Sequence, residues 1–556
     1  MSKRKWFWAV PMMLVVLLLV LGGCSKENDG GANSPAPSTD SETNAVSTPK
    51  ADEPPANLTF FYSNSGVPHP EGVDPNNNPF LDIVNKLANV KLKVEVPSYQ
   101  EFETKFNLLM ASGKLPDLVH TPYLSVAEKS GDDGAFIDLK KYYDNSPIIQ
   151  KVISKEMMEL TKSKSGHYYR IPMAWDKAPQ GSGLAVRFDL LEKYNEGKFP
   201  ATVEEYVDVM YKIKKANPKA IPMTNRVVGA SMLTYGGDTL YQLLGAAPYA
   251  NRIKGDQVIP NFGTPEFMKA TKIMRQLYTD GILDKEFSTN SLDKWSRIIS
   301  GDFDTLMEWN TADQMPYKGE GAIKNTNPLT KEARYVVAPP IQVDPVVSNP
   351  LYVESFKALP VIDHGVYISS TSKNQDAAWR VIEALASDEL DEAIWYGFEG
   401  EHYTVGADGK KIVDFQKLEA DKAVSWAFHL HLIRGFVSGQ EAMKEKSMAI
   451  MGEEYGKFVF DSMIPMQQQA DKNGIHPLTL VEPKLSDESA AKRTEMNEFI
   501  SKALAEAIMS RISMEELDQR IAEFNTKYGT VFAELTQIYK DIKPELPALG
   551  VKVVNW

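Results

Sequence analysis

Cysteine is almost absent from this chain: 556 residues contain one, Cys24. A single thiol excludes an intrachain disulfide framework, a multi-cysteine zinc site and a thiolate-held iron–sulfur cluster. Basic runs are equally scarce. After Lys3, Arg4 and Lys5 no long cluster of cations occurs, and 61 Lys and Arg face 74 Asp and Glu, a formal charge of −13. That balance argues against nucleic acid as a partner. No long apolar run follows residue 21, so no later segment reads as membrane-spanning. What is present is core material: 43% hydrophobic and 10% aromatic residues, enough at this length for two or more domains.

The first residues explain the lone cysteine. A basic start precedes an apolar run from Trp6 to Leu21, broken only by Pro11, and small residues follow. This is the pattern of a secretory signal peptide over residues 1–23. Leu21, Gly22, Gly23 and Cys24 resemble the bacterial lipobox. By that resemblance Cys24 becomes the lipid-modified first residue, and loss of Lys3, Arg4 and Lys5 takes the formal charge to −16. Two or more acyl chains hold a protein stably on a membrane, where one does not. Residues 24–57 read as a tether, because Val46 is their only large aliphatic residue and so little apolar surface cannot fold. A flexible chain of this length spans roughly 30 Å.

From Leu58 onward strands alternate with capped helices, an α/β pattern. Leu58 to Tyr62 is a short apolar strand, and Val90 to Val96 alternates with period two. Ser98 with Glu101 predicts a capping box, with Phe102, Phe106, Leu109 and Met110 inward and Gly113 as the stop. Leu118 and Val119 form a brief second strand. Similar helix starts occur at Thr202 with Glu205, at Thr264 with Pro265 and Glu266, and at Ser513 with Glu516. Trp379, in step with Ile382 and Leu385, reads as core. Asp117, after Pro116, reads as a turn-fixing residue.

No catalytic constellation emerges. The stretch from Ser112 to Leu115 lacks the hydroxyl and upstream glycine of a phosphate loop. Gly229, Ala230 and Ser231 lack the second glycine of a nucleophile elbow. Asp74 to Asn78 departs from a calcium loop at Pro79 and Asn85. His429 and His431 would point about 200° apart on a helix and share no face. Glu308, Glu399 and Glu401 offer carboxylates for glycoside hydrolysis, but their spacing fixes no separation. Neither a metal nor a cofactor is expected.

Several blocks in order resemble one family, the extracellular solute-binding proteins (family 1) of bacterial carbohydrate-type ABC importers. They run from Met110 to Val119, Gly166 to Met173, Ala185 to Leu191 with Phe199 to Glu205, Tyr278 to Asp284, Gly301 to Trp309, Ile368 to Asn374 with Ala378 and Trp379, and Tyr396 to Tyr403. The resemblance implies a two-lobed, periplasmic-binding-protein-like α/β fold (type II) with a hinge and an inter-lobe ligand cleft. Lobe 1 would hold residues 58–172 and about 361–470, and lobe 2 residues 173–360 and about 471–556. It further implies a monomer, lipid-anchored on the extracytoplasmic face, that captures a carbohydrate such as an oligosaccharide or uronate-type glycan fragment. Two integral-membrane permease subunits and a separate ATPase would be its partners. A surface-anchored glycoside hydrolase or lyase and a ligand sensor for a membrane kinase are the alternatives.

Sugar rings pair apolar faces with a hydroxyl rim, so aromatic planes flanked by polar groups are the candidate contacts. Trp309 lies in a block that resembles the family's sugar-stacking segment. Trp175 and Asp176 follow the hinge-like Ile171 and Pro172. Tyr62, Ser63 and Asn64 end the first strand, and His120 and Tyr123 end the second, where α/β folds present ligand loops. Trp395, Tyr396, Glu399 and Tyr403 form a dense polar–aromatic group.

Overall fold

The computed structural model describes residues 53–63, 70–175, 182–311, 333–339, 360–435, 439–549 and 551. The chain falls into two compact units, Met1–Ala45 and Val46–Trp556. The first, with the signal segment and Cys24, lies outside the described residues, and all the described elements belong to the second.

Alternation builds the first sheet. In β1 (Ala56–Phe61) and β2 (Val90–Glu95), side chains point to opposite faces in turn; Val90, Leu92 and Val94 are buried while Lys91, Lys93 and Glu95 are exposed. The two pair in parallel, with Ala56 opposite Val90, and β3 (Leu118–Thr121) joins β1 in parallel on its other side. After β4 (Ile171–Ala174) the chain enters a second body. There β5 (Ser182–Arg187) precedes a hairpin, β6 (Arg226–Val228) and β7 (Ser231–Thr234), and a second hairpin, β8 (Asn251–Lys254) and β9 (Gln257–Pro260). β10 (Met307–Thr311) and β11 (Tyr335–Val337) flank β5, both antiparallel to it. β12 (Val361–Ile368) then returns to lie antiparallel between β3 and β4, completing the order β2-β1-β3-β12-β4. β13 (Tyr403–Val405) and β14 (Lys411–Val413) form a late hairpin.

Each face of the five-stranded sheet has its own apolar layer. Leu58, Phe60, Leu118, Ile171, Val366 and Ile368 join a large core that includes Trp379 and Trp426. Phe61, Val119 and Tyr367 point the other way, onto Phe102, Phe106 and Phe136. A still larger core gathers around β5 and includes the helices Val203–Ala216, Pro265–Thr279 and Met514–Ile542. Phe460, Met463 and Met466 belong to this core, whereas the sequence expectation kept residues to about 470 with the first.

The helix starts divide by what the capping groups bind. Ser513 and Glu516 form a reciprocal capping box, and Thr264 accepts the Phe267 N–H. At Ser98 the expected box does not form: its hydroxyl donates instead to the Glu101 carboxylate, 2.9 Å away. At Thr202 the cap forms, but Glu205 reaches one residue further back, to the Ala201 N–H at 2.6 Å. Asn78, at the end of the calcium-like stretch, caps the helix Pro79–Ala88. Trp379 is fully buried, as expected. Asp117 ties chain segments together, accepting from Thr59 N at 2.8 Å, Thr59 Oγ1 at 2.9 Å and Ser372 Oγ at 2.6 Å.

Candidate functional site

Since β1, β2, β3 and β4 run in one sense and β12 in the other, one edge of the sheet collects four carboxyl ends and the start of β12. Such an edge is where open α/β sheets present ligand-binding segments. Period-two alternation puts Tyr62, His120 and His364 on the same face, near that edge. Tyr62 is fully buried, and its hydroxyl meets no hydrogen-bond partner among the described residues. Burial alone raises its pKa far above the usual phenol range. Ser63 is also buried, while Asn64 lies outside the described residues.

His120 is fully buried and its Nε2 lies 3.3 Å from His364 Nδ1. Its own Nδ1 has no partner among the described residues. Burial holds the His120 pKa well below the usual imidazole range. His364 is pushed down to about 4, first by burial and then by the Arg170 charge. Arg170 crosses β12 at Gly365, where a Cβ would come within 2.6 Å of its side chain, and donates to the His364 carbonyl at 2.8 Å. Only glycine admits the guanidinium stem there.

Tyr123 stacks on Phe102 and Phe106, at 6.0 and 5.9 Å between ring centroids, and is half-buried. Trp175 leaves β4 with its N–H on the Pro360 carbonyl at 2.9 Å, packed against the first core. Asp176 lies outside the described residues. Gly435 closes against the end of β4: with φ +54° and the Ala174 carbonyl 2.0 Å from a would-be Cβ, it admits no side chain. Trp309 is on β10 opposite Leu184; its side chain, like that of Glu308, lies outside the described residues.

The group at Trp395, Tyr396, Glu399 and Tyr403 is built differently. Trp395 is buried at the end of the helix Asp388–Tyr396, its ring pressed against Gly439. Lys411 sits 5.2 Å from the Tyr396 and Tyr403 ring centroids and pairs with Glu392 at 2.6 Å. Glu399 and Glu401 are exposed. These residues share a helix end and a hairpin, whereas Tyr62, His120 and Trp175 share the strand ends.

Glu401, His402 and Asp421 place potential metal-ligand atoms within 4.8 Å of one another. Internal bonds already use the imidazole: Nδ1 accepts the Phe398 N–H at 3.1 Å, so Nε2 carries the proton toward Asp421 at 3.2 Å. His429 and His431 are both buried, and His431 Nε2 lies 3.3 Å from Asp391.

Four residues of the second body were not foreseen. Arg226, at the start of β6, lies 4.7 Å from the Tyr235 ring centroid and 5.7 Å from that of Trp295. Asn225 fixes the hairpin: its Nδ2 donates to Met232 O and Phe287 O, each at 2.7 Å, and its Oδ1 accepts Thr234 N at 3.0 Å. Contacts of Asn217 with Asp304, Ile221 with Thr305 and Pro222 with Leu306 advance in step. The segment that leads toward Arg226 thus runs in the same sense as residues 304–306, which lead into β10, the strand that carries Trp309 and pairs with β5. The polar–aromatic run from Thr234 to Asp238 was the only signal available in sequence.

The family model for bacterial extracellular solute-binding proteins matches residues 78–392, more than half of the chain. The chain belongs to this family. Lipoprotein LipO of Bacillus subtilis is 25% identical over 226 residues, 39% of this chain and 44% of that protein. The fructooligosaccharide ABC transporter substrate-binding protein FusA of Streptococcus pneumoniae is 24% identical over 304 residues, 51% and 54%. The polygalacturonan/rhamnogalacturonan-binding protein YtcQ of B. subtilis is 21% identical over 336 residues, 58% and 63%. The chain thus spans about half the length of the curated relatives it matches. Among solved structures, a human-milk-oligosaccharide (HMO) binding, ABC-transporter-associated solute-binding protein from Bifidobacterium longum infantis superposes with a TM-score of 0.64 at 17% identity, covering 88% of this chain and 99% of that one. This solute-binding protein has the two-lobed α/β architecture of such neighbours. The family, FusA and YtcQ are binding proteins, not enzymes. No helix among the described residues is long and apolar enough to cross a membrane.

Proposed function

We propose that this protein is the substrate-capturing subunit of an ABC importer for an oligosaccharide or uronate-type glycan fragment. Lobe 1 takes residues 58–172 and the return through β12, and lobe 2 the residues around β5 and the C-terminal helices. Ligand binds between them, touching Tyr62, Ser63, Asn64, His120, Tyr123, Trp175 and Asp176 on one side and Trp309 on the other. Trp395, Tyr396, Glu399 and Tyr403 complete the set. Contact with both lobes favours the closed form by differential affinity. A monomer anchored through Cys24 delivers the closed state to two permease subunits driven by a separate ATPase.

The observation that carries this reading is the gathering of strand ends at one sheet edge, with Tyr62, His120 and Trp175 beside it. The carbohydrate ligands of the relatives point the same way. A melting screen against neutral and acidic oligosaccharides tests it. A saccharide at 100 times its Kd adds about 2.7 kcal/mol of stability and is recovered intact. Cleaved glycan, or shifts with peptides and none with saccharides, overturns the reading. Cys24→Ala releases the protein from the membrane fraction; unchanged retention removes the lipid anchor.

A further inference from the structure

The geometry points to Arg226 as a reader of carboxylate groups that gives the site a preference for acidic over neutral glycans; this rests on the sugar-capture reading above. The guanidinium is half-buried yet has no hydrogen bond or ion pair among the described residues; its contacts are with aromatic rings. Other sequestered arginines have polar partners: Arg187 meets Asp189 at 2.6 Å, Arg252 meets Glu266 at 3.1 Å and Arg434 meets Asp391 at 3.1 Å, while Arg275 and Arg380 donate to backbone carbonyls. In a chain with an excess of acids, a half-buried cation without a carboxylate stands ready for one from outside.

Two aromatic rings lie beside it. Tyr235 and Trp295 meet edge-on, with centroids 5.6 Å apart and planes at 62°, and the guanidinium rests against both. Tyr235 holds φ +41°, a left-handed conformation that costs a non-glycine residue about 1–2 kcal/mol. The Asn225 clamp over-determines the hairpin and keeps it there. Its contacts among the described residues are with rings, so the N–H fork stays available to a ligand. A hydroxyl uses one of those N–H groups. A carboxylate accepts two in parallel, each charge-assisted.

Two probes isolate that charge: trigalacturonate and its fully methyl-esterified form, titrated calorimetrically into the full-length protein. The acid binds at least about tenfold more tightly than the ester, the scale of one charge-assisted interaction. Arg226→Met, which keeps the apolar stem on the rings, brings the two affinities within about twofold, because the acid loses far more than the ester. Arg226→Lys keeps part of the preference, since it retains charge and loses the fork; it also serves if the Met variant does not fold. Equal or weaker binding of the acid, or a preference that survives both substitutions, overturns the inference while leaving sugar capture intact. Binding of a neutral oligosaccharide such as kestose with no binding of the acid does the same. If no saccharide in the set binds, the underlying reading falls and this inference falls with it.

Discussion

The ends of the two sheets face the same task with opposite electrostatics. The five-stranded sheet presents buried neutral groups, the phenol of Tyr62 and the imidazoles of His120 and His364, with Arg170 beneath them. In the second body the β6–β7 hairpin carries a half-buried cation on aromatic rings, and Asp238, four residues past β7, has a buried Oδ1 without a partner among the described residues. Both ends hold polar groups away from water, but the first suppresses a positive charge and the second a negative one. Acid therefore acts on them with opposite sign. His364 takes its proton at about 4 when folded and at 6.5 in its ordinary state. As pH falls from 6.5 toward 4, the unfolded chain gains a proton that the folded one refuses, and stability is lost. Asp238 is pushed up to about 6 by burial, partly offset by Gln242, from an ordinary 3.8. As pH falls from 6 toward 3.8, the folded chain gains the proton first, and stability rises.

Five substitutions sharpen or break this contrast. Asn225→Ala has the largest effect: three backbone groups lose their bonds, and stability falls by about 4 kcal/mol in urea unfolding. A loss under about 1 kcal/mol would mean that the hairpin is not clamped. His364→Gln removes one of the two acid-sensitive imidazoles, so the loss on titrating from pH 6.5 to 4 shrinks by on the order of 3 kcal/mol. An unaltered pH profile would place the acid response elsewhere. Asp238→Asn relieves a desolvated charge and stabilises by about 2 kcal/mol at pH 7, with the gain fading below pH 6; no gain at pH 7 would show that water reaches Oδ1. The smallest effect separates true caps from apparent ones: Ser513→Ala costs about 1 kcal/mol and Ser98→Ala a few tenths. Equal costs would erase the distinction drawn from their hydrogen bonds.

Much of the first body was legible in sequence because its signals are local. Period-two alternation gave β2, and Gly113 marked a helix end with φ +64°. Trp379 followed from helical spacing. Misreadings arose where a side chain had two partners within reach. Ser98 and Glu101 have the right spacing for a box, yet the hydroxyl found the carboxylate rather than a backbone N–H. The partner of His120 lies 244 residues away, and no local pattern announces His364. Arg226, Tyr235 and Trp295 went unseen for the same reason: a loop and a helix bring them together, and spacing along the chain does not.

Composition and local pattern alone determined an α/β chain in which no catalytic constellation emerges, with a lone cysteine in a lipobox-like context and a family resemblance that the model match bears out. Those properties depend on residues within a few positions of one another, so they survive in one dimension. Only the tertiary structure decided which polar groups are buried neutral, which cation lies on rings without a carboxylate among the described residues, and which strand ends meet. Charge state and partnership follow from desolvation and distance, and both are set by chain segments hundreds of residues apart.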